Sequence, residues 1–323
     1  MNTRWLAGKT AAALLTLAFV VVFNFFLFRI MGDPTTELAR LPNSNPEEIE
    51  KLRADYGLDK PLLTGQFVDY VGDTLRLDLG TSQRSRLPVW EEIKDALPWT
   101  LLLVGTGTLL ATIVGSWLGV IAATRRGKNT DDSLLGFSLF TYAAPEYWIG
   151  IILILAFAVW IPIFPAGLQM TPGVEFASWI DEALDVAEHL ILPAITMMLM
   201  LLGQYFLIMR SSMVDVLTED FITVKRATGL PWEKVVRRHA VPNALLPLVT
   251  LSAIQFGAVV GGAITIETIF SWPGLGELTF TAINDKDFPV LQGTFLIFSA
   301  GVIFANLLAD CLYFYLDPRV QTK

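Results

Sequence analysis

The strongest constraint on this chain is its long apolar blocks. Runs of twenty or more residues with few charges recur along its 323 residues, and a helix needs about 20 such residues to cross a bilayer core. Six candidate spans follow, at about 6–28, 98–123, 134–161, 189–209, 243–266 and 291–313. Only 17% of residues are charged and 53% are hydrophobic, against roughly a quarter charged in a soluble domain. Backbone inside lipid must satisfy its own hydrogen bonds, so the fold class is all-α and polytopic. Pro98 falls in the first turn of the second span, where a helix accepts proline. Asn129-Thr130-Asp131 offers N-cap chemistry ahead of the third.

The first apolar run, 11–28, follows Arg4 and Lys9. A cleaved signal peptide would need small residues at its end, and Arg29, Ile30 and Met31 stand there instead, so an uncleaved span is expected. Lysine and arginine set the orientation. Arg125, Arg126 and Lys128 follow the second span, and Arg210, Lys225, Arg226, Lys234, Arg237 and Arg238 follow the fourth. With Arg4, Lys9, Arg319 and Lys323 at the termini, one side carries thirteen basic residues, while the short loops of the other carry only Lys286. Both termini are therefore expected in the cytoplasm of a plasma or inner membrane, with segment 29–97 external. Within it, Asn45-Pro46-Glu47-Glu48 reads as a helix start, and Ile49, Leu52 and Tyr56 follow at helical spacing. A lid on the bundle and a docking surface for an external partner fit that segment equally well.

The loop 210–242 is too patterned for a linker. Met213, Leu217, Phe221, Val224 and Thr228 step by four, four, three and four, one face of a helix that Gly229 ends. Pro231 then fits the first position of a second helix, with Trp232, Val235, Val236 and His239 on one face and an i,i+4 pair, Glu233 and Arg237, elsewhere. An interfacial helix pair on lipid competes with a protein-docking element. Asp215, Glu219 and Asp220 favour the protein, because anionic headgroups repel them.

The segment 219–247, EDFITVKRATGLPWEKVVRRHAVPNALLP, resembles the conserved cytoplasmic loop of binding-protein-dependent ABC importer permeases. Gly229 and Pro242 match its glycine and proline. Thr223, Val224 and Lys225 depart from its Glu-Ala-Ala, and His239 and Val241 stand where the general form has Ile and Leu. The departures are similar to the dipeptide/oligopeptide/nickel branch, which Glu219, Asp220, Arg226, Ala227, Gly229, Leu230, His239, Ala240 and Asn243 fit. Asp55-Tyr56-Gly57-Leu58-Asp59-Lys60-Pro61, Leu77-Asp78-Leu79-Gly80, Ile269-Phe270-Ser271-Trp272-Pro273-Gly274-Leu275-Gly276 and Asp317-Pro318-Arg319 resemble further segments of the first of that branch's two permeases.

The resemblance implies a non-catalytic permease with an N-terminal helix (1–28), an external segment (29–97) and a five-helix core (98–323) holding the coupling loop. It implies a second homologous permease, two cytoplasmic ATPase subunits and an external substrate-binding protein as partners. Glu219, Asp220, Phe221, Val224, Arg226, Ala227, Gly229, Leu230, His239, Pro242 and Asn243 would seat on an ATPase. The chain has no G-x-x-x-x-G-K-[ST], so ATP and magnesium belong to those ATPases, and no cofactor or metal is expected here. Peptides are the leading substrate class, with oligosaccharides and nickel as alternatives in the same family.

Gly115/Gly119 and Gly257/Gly261 are G-x-x-x-G pairs that suit packing within the bundle or against a second subunit. An ion-coupled secondary transporter, the rival from another class, needs intramembrane charges and inverted repeats; Glu146 alone supports it and no repeat is visible. Gln204 and Gln255 suit interhelical hydrogen bonds, and Asp310 suits a pairing with Arg319 or Lys323. His189 and His239 both sit near span ends, and two histidines without nearby carboxylate geometry make a poor metal centre; Cys311, the one cysteine, sits in an apolar run. A net charge of −8 argues against nucleic acid.

Overall fold

The computed structural model describes residues 3–31, 59–245, 247–248, 251–252 and 263–316. From the N-terminus, α1 (Thr3–Met31) is a single long helix, and a wide helical turn (Leu62–Gln66) leads into the short amphipathic α2 (Phe67–Leu75). Next come α3 (Val89–Thr124), α4 (Asn129–Ala143), α5 (Glu146–Ile154, extended by a wide turn Leu155–Trp160) and α6 (Trp179–Leu217). The loop after α6 holds α7 (Asp220–Ala227) and α8 (Trp232–Val235), which runs through Val236–Ala240 into α9 (Val241–Ala244). Finally α10 (Ile264–Ile269), α11 (Leu275–Asp285) and α12 (Phe288–Leu316) complete the described residues.

Four of these helices, α1, α3, α6 and α12, are individually long and apolar enough to cross a bilayer. The third expected span is not one straight helix. It breaks into α4 and α5, which meet at 101°. Pro145 causes the break: its ring drives Ala144 into an extended conformation (φ −71°, ψ 137°), and its missing N–H ends the ladder. Most of the expected fifth span, the helix after Asn45, Gln255, Gly257, Gly261, Arg319 and Lys323 lie outside the described residues.

Two helices outrun their apolar blocks. α3 starts at Val89, so Pro98 sits in its interior rather than its first turn. The extra turns are amphipathic, and Val89, Ile93 and Ala96 bury themselves against Leu275, Ala282 and Val290. α6 has 39 residues, about 58 Å at 1.5 Å per residue, nearly twice a hydrocarbon core.

The α3–α6 contact is the most extensive in the fold. The two run parallel, brought together by glycines. A Cβ on Gly115 would lie 2.7 Å from Tyr205 Cβ, and one on Gly119 would lie 2.7 Å from Met209 Cβ and 3.0 Å from Phe206 O. Of the two readings of that glycine pair, packing inside the bundle is the one observed. α1 instead packs on α12, and Lys9 Nζ meets Asp310 Oδ2 at 2.9 Å. Asp310 thus pairs with the N-terminal helix. The contact puts the start of α1 and the end of α12 on one side, which requires an even number of crossings between them.

Candidate functional site

The loop after α6 is built on a fixed base. Arg210 donates from Nε and Nη2 to Asp131 Oδ1 and Oδ2 at 2.7 and 2.8 Å, and the Gly127 N–H reaches Oδ2 at 3.2 Å. Asp131 is buried, so this bidentate pair ties the start of α4 to α6 in a low-dielectric setting. Removing Arg210 would leave the buried Asp131 carboxylate without its counter-charge.

Beyond the base the chain turns sooner than its periodicity implies. Met213 and Leu217 belong to α6; Thr218 hydrogen-bonds back to Asp215 O at 2.7 Å, and Glu219 becomes extended (φ −70°, ψ 146°). The face expected to run from Met213 to Thr228 is therefore split between α6 and α7. Glu219 is the N-cap of α7 and Asp220 lies in its first turn, where acidic groups favour the helix dipole. Ala227 is its last residue. Thr228 closes it and Gly229 follows at φ +80°, the left-handed conformation that ends helices and that side chains resist. The Gly229 N–H donates to Arg226 O at 3.0 Å. Pro231 is the N-cap of α8, one position earlier than expected.

The two helices touch across the glycine, with the Arg226 guanidinium 5.3 Å from the centroid of the Trp232 ring. Ile222, Val235, Val236, Ala240 and Ala244 are buried in the main core, and Leu230 packs on it. Pro242 lies in the first turn of α9, and Asn243 Nδ2 donates to His239 O at 2.7 Å, which closes the loop. His239 is half-buried. The outward side is apolar as well: Phe221 is 38%, Trp232 43% and Val224 59% exposed. Of the anchors, Val235 lies on the helix face expected from its spacing, whereas Ile222 is not marked by the sequence pattern. Ile222 stands among Phe221 and Val224, and spacing alone does not say which of three neighbouring apolar residues points inward.

The opposite face holds the second motif cluster. Trp272 is fully buried, and its Nε1–H donates to Trp99 O at 2.9 Å. Glu267, also fully buried, accepts from Thr100 Oγ1 at 2.7 Å, from Gly276 N–H at 2.6 Å and from Glu277 N–H at 3.2 Å. It supplies the acceptor that the open end of α11 requires. Thr100 Oγ1 in turn accepts from Leu275 N–H at 2.7 Å. Arg84 pairs with Asp285, and Ser82 Oγ donates to buried Asp287 at 2.6 Å, fastening the segment before α3 to the same ridge.

Glu146 sits half-buried in the first turn of α5, where the helix dipole favours a carboxylate. The break at Pro145 thus gives it a structural setting. His189 is buried on α6 with Nδ1 2.8 Å from Asp185 O.

This arrangement defines a multi-pass helical membrane protein of the importer-permease type, with a two-helix loop on one face. Residues 115–322 match the binding-protein-dependent transport system inner membrane component family, and residues 2–104 match the N-terminal family of such membrane components. The chain belongs to this family of binding-protein-dependent inner membrane components. It is 37% identical over 314 residues to the dipeptide transport system permease protein DppB of Escherichia coli K12, covering 92% of each chain. It is 36% identical over 332 residues to the di/tripeptide permease DppB of Pseudomonas aeruginosa UCBPP-PA14 and 35% identical over 317 residues to the glutathione permease GsiC of Escherichia coli K12, covering 98% of each in both cases. The fold is shared with the MetNI methionine ABC transporter in inward-facing form, at a TM-score of 0.54, 14% identity, and coverage of 70% of this chain and 96% of that one.

Proposed function

We propose that the chain is one of two membrane subunits of an ATP-driven importer of short peptides, and that the loop 219–243 couples it to an ATPase. Relatives named for dipeptides, tripeptides and glutathione match nearly its whole length, which supports peptides as the substrate class. In this reading a second homologous permease completes the pathway, two cytoplasmic ATPases bind ATP and magnesium, and an external binding protein delivers the peptide. Both termini and the loop are cytoplasmic, and segment 29–97 is external.

The observation that carries the coupling role is the outward apolar ridge of Phe221, Val224 and Trp232 on a loop whose inner side is anchored. Such a ridge, set among Asp220, Lys225, Arg226 and Glu233, suits a protein cleft with a charged rim. The anchoring supplies the transmission. A push on α7 reaches α6 through Ile222 and the base at Arg210 and Asp131, and the glycine seam passes it to α3. ATP acts as the differential ligand: it favours the closed ATPase pair, and the permease pair switches between inward and outward states accordingly.

Reconstitution of the full complex in vesicles tests this. Gly229→Val forces a β-branched residue into the left-handed region, at roughly 1–2 kcal/mol, so the loop shifts. Uptake per ATP hydrolysed is expected to fall about tenfold or more, while the binding protein still docks on the far side. Normal uptake per ATP in a normally assembled complex would overturn the coupling role.

A further inference from the structure

Two acidic residues fall inside the expected spans, Glu146 and Asp310. Asp310 is paired with Lys9 at 2.9 Å. The Glu146 side chain has no hydrogen bond or ion pair among the described residues, and the expected fifth span, 243–266, carries no lysine, arginine or histidine to supply one.

Two contacts on α6 fix the depth of this carboxylate. A Cβ on Gly203 would lie 2.5 Å from Tyr142 Cβ, and one on Gly150 would lie 3.5 Å from Thr196 Cγ2. Glu146 is midway between Tyr142 and Gly150 in sequence, so it stands between the levels of Gly203 and Thr196. From Leu190 to Met209, α6 carries no charged residue, and the middle of that stretch falls within the same interval. Glu146 therefore lies near the midplane of the membrane. Its direction follows from spacing. Residues 146, 150 and 153 step by four and three; Gly150 is buried and Leu153 packs on the main core. The carboxylate thus shares the side of α5 that faces the bundle, where it is half-buried. An unpaired carboxylate at this depth belongs in a water-filled space and not against lipid. In an importer, the space of that kind at the midplane is the route of the substrate.

We propose that Glu146 is a specificity-determining residue of the import pathway, its carboxylate receiving the terminal ammonium of a peptide as it passes the midplane. The inference rests on the peptide-import reading, which supplies a cation that has to cross this level. A free divalent cation fits less well: it takes several ligands, and among the described residues no three of His, Cys, Asp and Glu gather to hold one. One charge-assisted hydrogen bond orients the peptide and still lets it leave.

The full complex, reconstituted in vesicles with its binding protein, tests this with labelled dialanine. Wild type is expected to accumulate it. Glu146→Gln, the same shape without the charge, is expected to lower uptake per ATP hydrolysed by about tenfold, the worth of one hydrogen bond to a charged group. Glu146→Asp, which keeps the carboxylate, is expected to recover most of that loss. The melting temperature of Glu146→Gln is expected to match wild type, because no partner is lost; a clear fall would show the carboxylate to be structural and overturn the proposal. Glu146→Cys, in a chain that also carries Cys311→Ala, is expected to react with a trimethylammonium methanethiosulfonate added in water. Equal uptake by wild type and Glu146→Gln would overturn the proposal, as would a loss in Glu146→Asp as large as in Glu146→Gln. Failure of Glu146→Cys to react in the assembled complex would do the same and assign the position to lipid or to a covered subunit contact. Absence of dialanine uptake by wild type is a different failure: it would remove the import reading, and this inference with it.

Discussion

On the face opposite the loop 219–243, Trp272, Phe270 and Glu267 are fully buried, and α3 holds the 271–277 turn through the Trp272 side chain and the Leu275 N–H. On the loop face, Phe221, Val224 and Trp232 stand in the open on helices of eight and four residues. Both regions carry aromatic residues and glycines, yet one is finished within this chain and the other is not. The difference lies in what each glycine does. Gly276 supplies an N–H to a buried carboxylate, whereas Gly229 has nothing within 4 Å of where a Cβ would stand. The closed region stores stability; the open one, in the function proposed for it, holds a shape ready for a partner.

If that contrast is right, stability and transport should rank the two regions in opposite orders. Trp272→Ala should have the largest effect on folding, about 3–5 kcal/mol, seen as a drop in the melting temperature of the detergent-solubilised chain. A loss below about 1 kcal/mol would mean that the 271–277 turn is not fixed as described. Glu267→Ala comes next, at about 3 kcal/mol, because it strands the N–H groups of Gly276 and Glu277 and the Thr100 hydroxyl. Glu267→Gln should recover part of it, and equal losses in the two variants would count against the hydrogen-bond account. Gly229→Val should cost only about 1–2 kcal/mol in the same melt, although it is the most damaging of these variants to uptake. Val224→Ser should change the melt by less than about 0.5 kcal/mol, yet weaken ATPase association in a pull-down. Unaltered association would show that the exposed ridge is not the seat.

Much of this was legible from residue order. The apolar blocks gave α1, α3, α6 and α12, because a spanning helix has to be nearly continuous in hydrophobicity. Gly229 was readable as a helix stop, since few other residues take a left-handed conformation cheaply. Pro145 was visible too, but its consequence was not: prolines at 98 and 193 sit inside helices, and only the packing around each tells a tolerated proline from a corner. The turn at Thr218 and Glu219 escaped notice because a four-residue step continues smoothly across it. The fully buried Glu267 also escaped, since an acidic residue beside an apolar run looks like a span end until its three donors are seen. Which of Phe221, Ile222 and Val224 points inward depends on neighbours far away in sequence.

The parallel seam between α3 and α6 bears on how the chain is made. Gly119 is synthesised roughly 90 residues before Met209, its neighbour across the seam, a delay of about 5–20 s at ordinary elongation rates. Throughout that interval the small-residue face of α3 lies in the bilayer without its mate, and any other helix with a matching face can occupy it. The nascent chain therefore has a window of vulnerability that closes only when α6 leaves the ribosome. Slowing elongation between the two would lengthen that window and leave the finished sequence unchanged.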